Sequence, residues 1–220
     1  MNPLRALSLL ETRVLGVLVE KEKTVPDTYP LSLNALTLGC NQKNNRDPVL
    51  AATESEVLAA IDELKAANWV IESSGARVTR YSHNIGRVLR VPEQSVTLLA
   101  ALMLRGPQTA AELRAATERL HRFADTSSVE AFLDELAQRP EAGGGALVVQ
   151  LPRRPGEREA RWAHLLSGLV QAAEPGAPAQ SPEAVGAPAT VQQRLDRLQA
   201  EVAELRAEVA ALRARLDEAR

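Results

Sequence analysis

Residues 69–83 read Trp-Val-Ile-Glu-Ser-Ser-Gly-Ala-Arg-Val-Thr-Arg-Tyr-Ser-His, which is two runs of strand-forming residues around a serine and glycine turn. β-Branched and aromatic side chains favour strands, and Ser and Gly between two such runs favour a tight connection. This stretch therefore predicts a β-hairpin whose turn lies at 73–76.

Three helical patterns precede the hairpin. Ser8 with Glu11, and Thr53 with Glu56, have the spacing of a capping box, in which two side chains satisfy first-turn amides that lack a partner within the helix. Apolar residues at helical spacing follow each box. A shorter helix is predicted between them at 33–40. Three helices and then a hairpin are the element order of a winged helix-turn-helix domain.

The same order of patterns recurs in the second half of the chain. Helical stretches are followed by an apolar run and, after a turn near Gly156, by a returning strand. The helices are predicted at 95–104, 109–120 and 127–137, with capping boxes at Thr109/Glu112 and Ser127/Glu130 and a strand at 147–149.

The two hairpins match residue by residue, which indicates a duplicated domain. Four positions recur 81 residues later, so that Arg77, Arg80, Tyr81 and His83 correspond to Arg158, Arg161, Trp162 and His164. A period of this length is that of a domain rather than of a short structural repeat. We therefore predict a helix-rich α+β protein with two tandem winged helix-turn-helix domains, residues 1–90 and 91–172.

The end of the chain has a different composition. Residues 173–189 are rich in Ala, Pro and Gly, which cannot bury a core and are typical of a linker. Residues 190–220 begin with a further capping box, Thr190/Gln193, and then place apolar side chains alternately four and three positions apart, the pattern of a parallel dimeric coiled coil. The seam residues of this expected homodimer are Val191, Leu195, Leu198, Val202, Leu205, Val209, Leu212 and Leu216.

Composition narrows the classes of function. The net charge is −2, and residues 1–90 carry 11 Lys and Arg against 10 Asp and Glu, so any nucleic-acid surface must be a local patch. The single cysteine, Cys40, allows neither an intrachain disulfide nor a thiolate zinc site, and a cytoplasmic location follows most simply. Apolar runs stay below the roughly 18 residues of a membrane span. We expect no catalysis, metal, cofactor or membrane partner.

Several stretches of the chain together resemble the bacterial YceH family of tandem winged-helix proteins. They extend over roughly residues 8–168, and so dense a set of matches is specific. The resemblance implies the fold, whereas a fold alone does not assign a function. The matching stretches are 20–22, 26–36, 41–49, 77–81, 104–109 and 161–165.

Basic residues on the hairpins and in a polar loop motivate a DNA-binding hypothesis. Arginines on a wing can contact phosphates or enter a minor groove, and Lys, Asn and Arg in a loop have donors suited to the backbone or to base edges. The partner would be double-stranded DNA. The candidate contacts are Lys43, Asn44, Asn45, Arg46, Arg77, Arg80, Arg153, Arg154, Arg158 and Arg161.

The third helix of each predicted domain favours an alternative. Winged-helix proteins usually insert this helix into the major groove, where carboxylates would be repelled by phosphates. The alternative partner is another protein, with both domains acting as an adaptor, as in the winged-helix subunit that accompanies bacterial condensin. The acidic residues on the predicted solvent faces are Glu56, Asp62 and Glu63 in the first domain and Glu130, Asp134 and Glu135 in the second.

Overall fold

The computed structural model describes residues 5–74, 78–153 and 156–168. The chain divides into two units, Met1–Ala172 and Ala173–Arg220, and every described residue belongs to the first. The predicted linker at 173–189, the Thr190/Gln193 capping box and the coiled-coil seam therefore lie outside the described residues, and homodimer formation stays a prediction.

The first unit is a helix-rich α+β structure, as the sequence predicts. The helices are α1 Leu9–Thr24, α2 Leu33–Cys40, α3 Glu54–Ala66, α4 Ile85–Leu89, α5 Glu93–Arg105, α6 Ala110–Thr117 and α7 Thr126–Ala137. The strands are β1 Leu31–Ser32, β2 Val70–Ser74, β3 Thr79–His83, β4 Val148–Gln150 and β5 Trp162–His164. The sequence patterns did not predict α4 or β1, which have only five and two residues.

Local hydrogen bonds explain where the helices begin. The predicted capping boxes that start at Ser8, Thr53 and Thr109 are all present. The box predicted at Ser127/Glu130 is wrong, because α7 begins two residues earlier and its N-cap is Asp125. An aspartate caps a helix as well as serine does, and its carboxylate accepts the Ser128 amide at 2.7 Å.

Two small antiparallel sheets carry the hairpins. In the first sheet the order is β1-β3-β2, with Leu31 opposite Tyr81 and Val70 opposite His83. In the second sheet β4 pairs with β5, and Trp162 forms an additional bridge with Gln108. In each half the second strand of the hairpin therefore contacts the segment that leads into the second helix. Strand β3 contacts the segment before α2, and β5 contacts the segment before α6.

The hydrophobic core runs through both halves of the unit. Helix α1 packs along α5, and buried leucines and valines of both helices belong to one cluster. Gly16 makes the close approach possible, since a Cβ atom built there would lie 2.8 Å from Leu104 Cγ. The two halves share one core, and residues 1–172 form one compact unit. The division into two domains at residues 90 and 91 stays a prediction from the sequence.

Within the described ranges, the helices include none that is both long and apolar enough to cross a membrane. The longest of them, α1, carries charged residues through its last two turns.

Candidate nucleic-acid interface

The first hairpin uses its described arginine to hold a turn. Arg80 Nη1 donates to the carbonyl oxygens of Thr28, at 3.1 Å, and Pro30, at 2.7 Å, while the side chain stays exposed. The same corner is closed by the Tyr29 hydroxyl, which accepts the His83 amide at 2.9 Å. Arg80 thus supports the first hairpin and still presents positive charge to solvent. Arg77 lies outside the described residues.

On the second hairpin, two carboxylates neutralise the charge of Arg161, the residue that corresponds to Arg80. Arg161 binds Glu112 through two contacts, Nη1 to Oε2 at 2.7 Å and Nη2 to Oε1 at 3.2 Å, and its Nε donates to Glu157 at 3.3 Å. Its Nη1 also donates to Pro107 O at 3.1 Å, which repeats the contact of Arg80 with Pro30. With two carboxylates around one guanidinium, Arg161 offers a phosphate no net positive charge. We therefore remove it from the candidate contacts.

The other DNA-contact candidates near the second hairpin are Arg153, Arg154 and Arg158. Arg153 and Arg158 are exposed, and no described carboxylate forms an ion pair with either. Arg154 lies outside the described residues.

The polar loop of residues 41–47 presents three of its four candidates. Lys43, Asn44 and Asn45 are exposed, and Asn45 has φ +58°, a left-handed conformation that Asn tolerates better than most residues. Arg46 is the exception, because its side chain is only 1% exposed. Its guanidinium donates to Gly39 O at 3.3 Å, Asn45 O at 2.9 Å and Gln42 Oε1 at 2.9 Å.

The structure corrects the prediction for Arg46. A phosphate cannot reach a guanidinium that is enclosed in this way, so Arg46 shapes the loop instead of contacting DNA. Its Nη2 also lies 2.5 Å from Glu20 Oε2 on α1. The loop is held from the other side by Asp47, whose amide donates to Leu104 O on α5 at 2.8 Å.

A second buried arginine supports the same loop, and sequence reasoning missed it. Arg13, in the second turn of α1, is fully buried and donates to Cys40 O at 3.1 Å and Pro48 O at 2.6 Å, the residues on either side of the loop. Burial, and then the nearby Arg46 guanidinium, lower the pKa of Arg13. Its position in an apolar helical run had no signal that would separate it from a solvent-facing arginine.

Beside the loop lies a groove that we call the basic groove. Its cavity volume is about 90 Å³, and it joins the loop to α5 and to the end of α6. Arg105 and Arg119, which the sequence analysis did not select, line it, and no described carboxylate forms an ion pair with them. Burial lowers the pKa of Arg105, although Glu20 opposes that effect. The lining residues are Glu20, Thr24, Asn45, Arg46, Ala101, Leu104, Arg105, Ala116, Arg119 and Leu120.

Charge is distributed unequally between this groove and the third helix of each half. Since Arg46 is paired with Glu20, the groove keeps the charges of Arg105 and Arg119. The exposed Lys43 precedes Asn45, a lining residue, by two positions in the loop. Helices α3 and α7 instead expose carboxylates, as predicted. These carboxylates are Glu54, Glu56, Asp62 and Glu63 on α3 and Glu130, Asp134 and Glu135 on α7.

The histidines and the cysteine occupy structural positions. His83 Nε2 lies 3.2 Å from Glu22 Oε2, and burial lowers the pKa of His83. Burial lowers the pKa of the equivalent His164 to about 4. Cys40 is fully buried, and burial raises the pKa of its thiol to about 12. In the part of the chain that the structure describes, no group of three metal-binding side chains forms.

Comparison with known sequences gives consistent matches. A profile of the family described as "Protein of unknown function, DUF480" matches residues 7–157. A UPF0502 protein of Methylibium petroleiphilum is 62% identical over 202 residues, which cover 90% of this chain and 85% of that protein. A UPF0502 protein of Dechloromonas aromatica is 58% identical over 199 residues, which cover 90% of this chain and 92% of that protein.

Proposed function

The chain belongs to the DUF480 family together with these UPF0502 proteins, and we propose that it is a cytoplasmic, non-catalytic protein that associates with duplex DNA through phosphate contacts. The membership confirms the YceH-type family that the sequence motifs indicate. In this proposal residues 1–90 and 91–172 are tandem winged-helix domains, and residues 190–220 pair two copies.

The element order supports the winged-helix part of the proposal. Each half has three helices before an antiparallel hairpin, and in each half the returning strand pairs with the residue just before the N-cap of the second helix. The two N-caps are Ser32 for α2 and Thr109 for α6. Arg80 and Arg161 hold the chain at equivalent prolines in front of these caps.

The observation that carries DNA binding is the uncompensated positive charge around the basic groove. Lys43 comes from the loop, Arg105 from the end of α5 and Arg119 from the turn after α6, and no described carboxylate forms an ion pair with any of them. Cations that contact phosphates supply affinity that is independent of sequence and sensitive to salt. The loop, whose two flanking residues accept hydrogen bonds from the buried Arg13, also exposes Asn44 and Asn45, which can donate further hydrogen bonds.

In this proposal the duplex lies against the basic groove and not along α3 or α7. The exposed carboxylates of those helices would repel phosphates, so the usual insertion of the third helix into the major groove is disfavoured. We therefore expect weak sequence preference, because phosphate contacts position a protein without reading bases.

Titration of a fluorescent random duplex by anisotropy tests the proposal. About three phosphate contacts give a slope near −2.7 for log affinity against log salt between 50 and 200 mM. Changing Lys43, Arg105 and Arg119 together to Gln should abolish most binding at 50 mM salt and flatten the slope. The matched control is Lys65→Gln, since Lys65 is already paired with Asp62 and Glu72. Circular dichroism establishes that each variant is folded.

A protein-binding adaptor is the second candidate, and exposed apolar side chains near α2 and α3 favour it. Leu38 on α2 is 64% exposed, Val49 after the loop is 53% exposed, and Leu58 on α3 is 37% exposed. Acidic and apolar groups on one helix suit a protein partner better than a phosphate backbone. If the intact chain shows no anisotropy change with duplex at 50 mM salt, the DNA proposal is wrong and the adaptor becomes the better account.

A further inference from the structure

We propose that this protein also binds a small organic anion, with an apolar body and one carboxylate, sulfonate or phosphate group. The site is a cavity of about 390 Å³ between the N-terminal segment, α4 and the loop that follows α7. The cavity shares no lining residue with the basic groove, so this inference can be tested independently of DNA binding.

The size and walls of the cavity suit such a ligand. Small-molecule pockets usually enclose roughly 300–1,000 Å³ and combine apolar walls with a few polar groups. The apolar walls here are buried side chains that include Leu7, Trp69, Leu89 and Leu147. The walls are tied together by backbone hydrogen bonds, such as that from Leu7 N to Leu166 O at 2.8 Å.

Two guanidinium groups supply the charge that would select an anion. Arg139 Nη2 donates to the carbonyl oxygens of Leu89, at 2.8 Å, and of Gly143. These carbonyl oxygens accept hydrogen bonds from Arg139 without neutralising its charge. Burial lowers the pKa of Arg139, although the Glu135 carboxylate opposes that effect. Arg90 caps α4 in a left-handed conformation with φ +54°, and no described carboxylate forms an ion pair with either arginine.

The other charged residues of the lining do not cancel this excess. Arg5 is already held by Glu11 in a two-contact ion pair, so that pair is neutral. Among the lining residues that the structure describes, Glu141 is the one carboxylate, against Arg90 and Arg139. An anion bound there would compensate a guanidinium that is partly removed from water, which strengthens their interaction.

The lining favours an organic anion over an inorganic ion or a metal cation. A bare inorganic ion would leave the apolar walls unfilled, and a divalent cation would be repelled by the two arginines.

Anilinonaphthalene sulfonate is a suitable probe, because it joins an aromatic body to one anionic group and accepts excitation energy from tryptophan. The chain has two tryptophans, and Trp69 lines the cavity, so a Trp162→Phe variant reports on the cavity through Trp69 alone. We expect saturable quenching of Trp69 with one dye bound per folded chain. Dansylamide, which is aromatic but uncharged, is expected to bind at least tenfold more weakly.

Arginine variants in the Trp162→Phe background locate the binding. Arg90→Gln should weaken dye binding about tenfold, whereas Arg153→Gln, an exposed arginine outside the cavity, should not change it. If Arg139→Gln does not fold, Arg139→Lys takes its place, because lysine keeps the positive charge. Arg139→Lys should bind the dye more tightly than Arg90→Gln does. The proposal is overturned if the dye does not saturate, if Arg90→Gln binds it as tightly as its parent, or if dansylamide binds equally well. A cooperative thermal transition at the same temperature establishes that the dye is reporting on folded protein.

Discussion

Arg46 Nη2 lies 2.5 Å from Glu20 Oε2, and this ion pair joins the loop of residues 41–47 to the end of α1. The contact removes the one arginine of the loop from the surface and leaves Lys43 as the exposed cation. The pair therefore decides which residues of the loop a ligand can reach.

Replacing Arg46 by Ala should destabilise the protein by about 3 kcal/mol, because Glu20 would lose its buried partner and keep only the Lys21 contact at 3.4 Å, and the Gly39 and Asn45 carbonyl oxygens would lose a donor. This figure is the lower end for a broken buried pair, since the Glu20 side chain stays 20% exposed. Urea denaturation measures the loss. The control, Arg153→Ala, removes an exposed arginine and should change stability by less than about 0.5 kcal/mol. Equal effects of the two changes would contradict the structural role of Arg46.

Gly16→Ala tests the contact between α1 and α5. The added Cβ would lie 2.8 Å from Leu104 Cγ, and overpacking of this kind costs about 1–3 kcal/mol. Alanine regains about 1 kcal/mol of helix propensity, so the net loss should be about 1 kcal/mol. In the control Gly86→Ala, the new Cβ meets Val91 O at an ordinary 3.5 Å, and stability should stay the same or rise. A Gly16→Ala protein as stable as this control would show that the helices are not so closely packed.

Asp125→Ala and Ser127→Ala distinguish the true cap of α7 from the one that the sequence pattern indicates. Losing the Asp125 carboxylate leaves the Ser128 amide without its acceptor and should lower the unfolding free energy by about 1 kcal/mol. Ser127 is exposed at the second position of the helix, so its replacement should change stability by only a few tenths. Thermal melts of both variants measure the difference. If Ser127→Ala lowered stability more than Asp125→Ala, Ser127 and not Asp125 would be the N-cap of α7.

His164 should make the protein less stable in acid. Its pKa is about 4 in the folded chain, against an ordinary value of 6.5, because burial disfavours the charged ring. The unfolded chain therefore binds more protons between these values, and stability falls as the pH drops from about 6.5 to about 4. The full loss from this residue is about 3 kcal/mol. His164→Leu should reduce the fall in urea midpoint between pH 7 and pH 4.5, and an unchanged fall would argue against a neutral buried ring.

The patterns that predicted structure correctly all act within a few residues. Helix α2 has the bounds that the sequence indicates, Leu33–Cys40, and the capping boxes at Ser8, Thr53 and Thr109 bond side chains to amides three positions away. The incorrect and missed predictions also concern features that extend over only a few residues. At α7 an Asp cap competes with a nearby Ser, and β1 has only two residues, too few for an alternating pattern to appear.

The candidate interface was only partly predictable, because it depends on contacts between distant parts of the chain. Nothing near Arg46 in the sequence indicates that Glu20 neutralises it, and nothing near Arg105 indicates that Asn45 lies in the same groove. The sequence by itself determined most of the helices and the two pairs of antiparallel strands, since hydrogen bonds and side-chain periodicity within each segment specify them. Only the tertiary structure decided which charged groups are buried, paired or exposed, because burial and electrostatic pairing depend on packing between segments and not on the residue type.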